Sequence, residues 1–128
     1  MSDALLRYSV RFMPRAKRDL DFAVVEFADR TGDEFRAALL YRRVRETAGT
    51  LNENPDRYQI AEHESAMFGF TVRRVLARLS KGSAVAYHLI YYAVAESADG
   101  PRVSIVHIRH ANRAPLSADE AGEIKAGQ

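Results

Sequence analysis

The residues best suited to chemistry lie late in the chain. Arg73, Arg74, Arg78 and Lys81 come first; Tyr87, His88, Tyr91 and Tyr92 follow; His107, Arg109, His110 and Arg113 close the series. Without a metal, side chains of these types can cleave RNA. One group must take the 2′-hydroxyl proton, another must protonate the leaving oxygen, and arginines must hold the phosphate. His110, Tyr87, Arg74 and Arg113 are of the right types for those four tasks. A metal is not expected. His107 and His110 are three apart on a strand and so point to opposite faces, and no HExxH, paired-carboxylate or EF-hand spacing occurs. Nor is there a glycine-rich phosphate loop or a nucleophile elbow, so no cofactor is implied. The tyrosines read first as sheet packing, because aromatics are enriched in strands. His88 and His107 read as half-buried strand positions. His110 and Arg113 differ. In "VSIVHIRHANRAP" they stand where the strand runs out, where packing makes less demand on a side chain and function is the better reading.

Charge points to the same segment. The net charge is only +2, but residues 70–113 carry seven Lys/Arg against two Asp/Glu. A local basic field of this kind favours a polyanion or an acidic partner, its plainer reading being a solvated strand face. The 128 residues suffice for one domain with a modest core. No apolar run is long enough to span a membrane. The opening "MSDALLRYSVRF" lacks the apolar stretch of a signal peptide. With no cysteine there can be neither disulfides nor thiolate metal sites. A cytoplasmic protein is expected.

The elements that must position these residues follow from periodicity. "RYSVRFMP" alternates as a strand and is stopped by Pro14. Ala16, Leu20, Ala23, Val24, Phe27 and Ala28 recur at helical spacing, with Gly32 as the stop. Ala37, Tyr41, Val44, Ala48 and Leu51 mark a second helix, capped by Asp33 and followed by Pro55. The short link between them predicts an antiparallel helical hairpin. Residues 55–69 show no period and read as a loop with at most one helical turn. "FTVRRVLARLS", "AYHLIYYAVA" and "RVSIVHIRH" are strands, joined at "KGSA" and Asp99–Gly100, and should form an antiparallel meander. The expected architecture is α+β: an N-terminal strand, an antiparallel helical hairpin, then a three-stranded antiparallel meander in one sheet. The hairpin covers one sheet face and leaves the other partly open. Residues 1–115 form a single domain, and the polar tail 116–128 is expected to fray.

The combination resembles the RelE/ParE superfamily, the toxin half of bacterial type II toxin–antitoxin modules. It is carried by "YSVRFMPRAKRDL" with Ala16, Asp19 and Leu20, by "LNENP", by "VRRVLARL" before "YHLIYYAV", and by the close "HANR". The last is most similar to the ParE branch, which often ends with His-Gly-x-Arg; Ala111 replaces that glycine here. The resemblance spans roughly residues 7–115. It implies a toxin that binds and inhibits DNA gyrase and is neutralised by a cognate antitoxin in a hetero-oligomer. Arg73, Arg74, Arg78, Tyr92, Arg109, His110 and Arg113 are then the expected target or partner contacts. An acidic, amphipathic antitoxin segment would lie across the sheet and hairpin. Two alternatives stay open. One is a RelE-like ribosome-dependent messenger RNA endonuclease using His110, Arg113, Tyr87 and Arg74, although no Tyr, His or Arg follows Arg113. The other is a non-toxic interaction module of the same fold.

Overall fold

The computed structural model describes residues 7–79 and 87–126, with the side chains of residues 87 and 97 set aside. Strand β1 (Ser9–Phe12) leads into helix α1 (Pro14–Thr31). Proline at the first helical position gives up no intrahelical bond. Gly32 ends α1 in the left-handed region (φ 71°), its N–H donating to Ala28 O. Asp33 caps α2 (Glu34–Gly49) by accepting from Arg36 N–H at 3.0 Å. Two short 3-10 turns (Thr50–Asn52 and Pro55–Arg57) and helix α3 (Glu62–Phe68) lead to β2 (Arg73–Arg78). Strands β3 (Tyr87–Ser97) and β4 (Gly100–His110) form a hairpin, and helix α4 (Ala118–Ala126) follows. The "KGSA" turn and Lys81 lie outside the described residues.

The sheet order is β1-β4-β3-β2. The meander β2-β3-β4 is antiparallel as expected, and β1 joins β4 in parallel, Ser9 opposite Arg102 and Phe12 opposite Ile105. The β3–β4 register shifts at a bulge between Tyr91 and Tyr92, from Tyr91 opposite His107 to Tyr92 opposite Ile105. The hairpin α1–α2 packs on one face. Leu20, Phe27, Leu40 and Val44 meet Val75, Ile90, Tyr92, Val103, Ile105 and Ile108 there.

The second face is not open, contrary to the sequence expectation. Helices α3 and α4 cover it, burying Ala61, Phe68, Val72, Tyr91, Val106, Leu116, Ala121 and Ile124 together. The seven residues of α3 are too few to show a period. The tail that should fray is the nine-residue α4, capped by Ser117, whose hydroxyl accepts from Glu120 N–H. Two polar contacts fix this layer. His63 Nε2 meets Leu116 O at 2.8 Å, and Arg109 grips Glu120 through both terminal guanidinium nitrogens at 2.9 and 3.1 Å. Ile124→Ala should therefore cost about 2–3 kcal/mol of stability. Urea unfolding followed by circular dichroism measures it, and an unchanged midpoint would mean that α4 adds nothing to the core. No helix among the described residues is long and apolar enough to cross a membrane.

Candidate functional site

The antiparallel register places His88, near the start of β3, opposite His110, at the end of β4. Their rings meet edge to face, centroids 5.1 Å apart. Helix α1 runs past this end of the sheet. Between them opens a groove of about 850 Å³, lined by Asp19, Phe22, Glu26 and Arg30 from the helix and by His88, His110, Asn112 and Arg113 from the strands and the turn. The helical residues recur every three or four positions, so a single face of α1 supplies them.

The turn after β4 sets the state of His110. Asn112 N–H donates to His110 Nδ1 at 3.0 Å, and Arg113 N–H donates to His110 O at 3.1 Å. With Nδ1 accepting, the neutral ring carries its hydrogen on Nε2. Arg113 and Asn112 are exposed, and His110 is half-buried. His88 is different. Burial, and then the positive charges of His110 and Arg30, push it down to about 4. It is neutral at physiological pH, and its buried Nδ1 has no hydrogen-bond partner.

Behind the groove, Asp19 ties α1 to β4. Strand β1 stops pairing at Ile105, where Met13 N–H donates to Ile105 O and Pro14 turns the chain into the helix. The edge of β4 beyond that point would be left unpaired. Asp19 Oδ2 accepts from Ile108 N–H at 3.1 Å and meets His107 Nδ1 at 2.7 Å, and Arg15 pairs with the other oxygen at 3.1 Å. Burial raises the Asp19 carboxyl, but the His107 bond and charge, the Ile108 N–H and Arg15 together outweigh it and hold it below the usual carboxylate range. The Asp–His pair looks like half of a catalytic triad. Its free nitrogen, His107 Nε2, is however buried without a partner, and the ring lies stacked 5.9 Å from that of Tyr91. The pair is closed to a substrate in this conformation, so His110 is the imidazole offered to the groove.

The other sequence candidates separate. Arg74 and Arg78 line a different cleft, along β2 with Tyr58, Leu76 and Leu89. Arg73 is pinned by the Tyr58 and Asp56 carbonyls at 2.6 and 3.0 Å and by the Asp56 carboxylate at 3.5 Å. Tyr91 is buried, its hydroxyl 3.4 Å from Glu64 Oε2; burial and the Glu64 charge push that hydroxyl up. Two expected contact residues are corrected. Tyr92 is fully buried under the hairpin, its hydroxyl donates to Pro55 O, and burial pushes it up to about 12. Arg109 is buried and spent on Ala114 O and Glu120. Both sit in strands covered on both faces, so type alone misplaced them on the surface. Tyr87 begins β3 opposite Arg78, and its side chain lies outside the described set. The sequence reading missed Phe22, Glu26 and Arg30. The signal available was their helical spacing from Asp19, itself quoted only as part of a common helix pattern. Among the described residues no group of three His, Cys, Asp or Glu could hold a metal.

Residues 10–115 match a family described as the ParE toxin of the type II toxin–antitoxin system parDE. The match runs from β1 through the turn that carries His110 and Arg113, and α4 lies beyond it. No curated protein and no solved structure matches the chain.

Proposed function

Since the chain belongs to the ParE toxin family of type II toxin–antitoxin systems, we propose that it acts by binding, with DNA gyrase as the target and a cognate antitoxin as the inhibitor. What supports a binding surface is the placement of His110 and Arg113. They stand in an open groove framed by a helix and two strands, while Arg74 of the alternative ribonuclease set lines another cleft. With α3 and α4 on the second sheet face, the antitoxin segment is left the outer side of the hairpin. Val25 and Phe35 are 59% and 82% exposed there and offer apolar anchors.

Arg113→Ala tests the reading. The side chain is exposed and packs against little, so the circular dichroism spectrum should not change. Growth arrest on induction should diminish at equal expression, and full toxicity would overturn the role given to the groove. The target is read from cell fate. Gyrase inhibition gives DNA damage and filamentation while translation continues. Abrupt loss of translation with new messenger cleavage sites would replace gyrase by the ribosome.

A further inference from the structure

We infer that the groove between α1 and the end of β4 holds one unpaired nucleotide of a nucleic acid strand, its phosphate at Arg113 and His110 and its base on Phe22. The inference rests on the groove being the working surface of the toxin, and adds that the surface meets nucleic acid as well as protein.

Three observations carry it. First, the arginines of the groove are not neutralised by a carboxylate in direct contact, although the Arg30 guanidinium also lies over the Phe27 ring at 5.5 Å. Arg30 and Arg113 make no ion pair among the described residues, and the Asn112 N–H leaves His110 Nε2 as the donor. The Asp19 carboxylate on the wall is already engaged by the Arg15 guanidinium, the His107 ring and the Ile108 N–H. Donors from two separate elements facing one space suit a phosphate, whose oxygens accept in several directions. Second, Phe22 lines the same groove while 66% exposed. An exposed ring beside a phosphate site is the pairing that single-stranded nucleic acid binders use: charge tracks the backbone, and the ring stacks a base of any sequence. Third, the dimensions agree. A groove of about 850 Å³ has the size of a small-molecule site and takes one nucleotide, and the Glu26 carboxylate on its wall can accept from an exocyclic amine of the base. An acidic peptide would use the arginines but has no amine-bearing base to offer Glu26 and Phe22. A duplex would keep its bases stacked away from Phe22.

The test is fluorescence anisotropy of a short 5′-fluorescein single-stranded DNA of mixed sequence, titrated with the full chain free of antitoxin. The same strand as a duplex, inorganic phosphate as competitor and a fluorescein-labelled glutamate-rich peptide run in parallel. Single-stranded DNA should bind more tightly than the duplex, and phosphate alone should compete weakly. Phe22→Ala and Arg113→Ala should each weaken binding roughly tenfold. Arg43→Ala, in an exposed ion pair with Glu46 on α2, should change it by less than about twofold. Thermal melting checks that the variants are folded. Equal losses in all three variants would overturn the site in favour of diffuse charge. Binding of the peptide and not of the DNA would give the groove to an acidic protein segment instead. If no DNA binding occurs while Arg113→Ala still relieves growth arrest, the nucleotide is overturned and the toxin reading survives.

Discussion

Replacing Asp19 with alanine should remove about 3–5 kcal/mol of stability. One carboxylate serves three partners: the Ile108 N–H at the β4 edge, the buried His107 ring and the Arg15 guanidinium. Its loss leaves a buried backbone donor and a buried imidazole nitrogen unsatisfied together, each costly where water cannot replace the partner. Asp19→Asn keeps an acceptor for the N–H and drops the charge, so it should fall between wild type and Asp19→Ala. Urea unfolding of the three proteins at neutral pH gives the order. A loss below about 1 kcal/mol for Asp19→Ala would mean that water or a neighbour takes over the role, and the helix–strand tie would be an incidental contact. The prediction also reaches the groove, since Asp19 is the point at which α1 is fixed to the strand carrying His110.

The protein should lose about 3 kcal/mol of stability between neutral pH and pH 4 through His88 alone. The folded ring titrates at about 4 against 6.5 when unfolded. Between those values the unfolded chain takes up a proton that the folded chain refuses. Stability therefore falls as pH falls through this window and is fully present above 6.5. The surroundings act in one direction: burial first, then His110 and Arg30. Asp19 and Glu120 extend the loss to lower pH. Asp19 is depressed by the interactions already described, and Glu120 mainly by its hydrogen bonds from Arg109. A carboxylate with a lowered folded value stabilises above its unfolded value and loses that contribution as pH falls through the folded one. His88→Leu should flatten the slope between pH 6.5 and 4.5 and leave the steeper fall below pH 4. A variant with the wild-type slope would assign the acid sensitivity elsewhere.

The order of the four strands and the first two helices, the caps at Gly32 and Asp33, the helical hairpin and the antiparallel meander were legible in the sequence. Each rests on local periodicity or turn chemistry. What was not legible depends on contacts between distant segments. "AYHLIYYAVA" shows that both its faces are apolar but not what covers the second one. That role falls to α3 and α4, which are short and carry few apolar residues. The same gap put Tyr92 and Arg109 among the contact residues. A tyrosine or arginine in a strand looks alike whether its polar end reaches solvent or, as here, Pro55 O and Glu120. His110 and Arg113 could be singled out because they sit past the end of a strand, where a position is defined by chain geometry rather than by packing. Their neighbours on α1 were hidden because nothing local says which face of a helix meets which strand end.

The placement of β4 between β1 and β3 sets a timetable for the molecule. Ser9 and Arg102 are neighbours in the sheet although nearly the whole domain is made between them. A chain emerging from the ribosome N-terminus first can build the α1–α2 hairpin early, because its contacts are local. It cannot settle β1, satisfy Asp19 or form the groove until β4 has been synthesised. Pairing across so long a separation is also slow, since the loop must close before any contact rewards it. The groove is thus among the last parts of the protein to exist. During that interval a waiting partner would meet the hairpin before it could meet the groove.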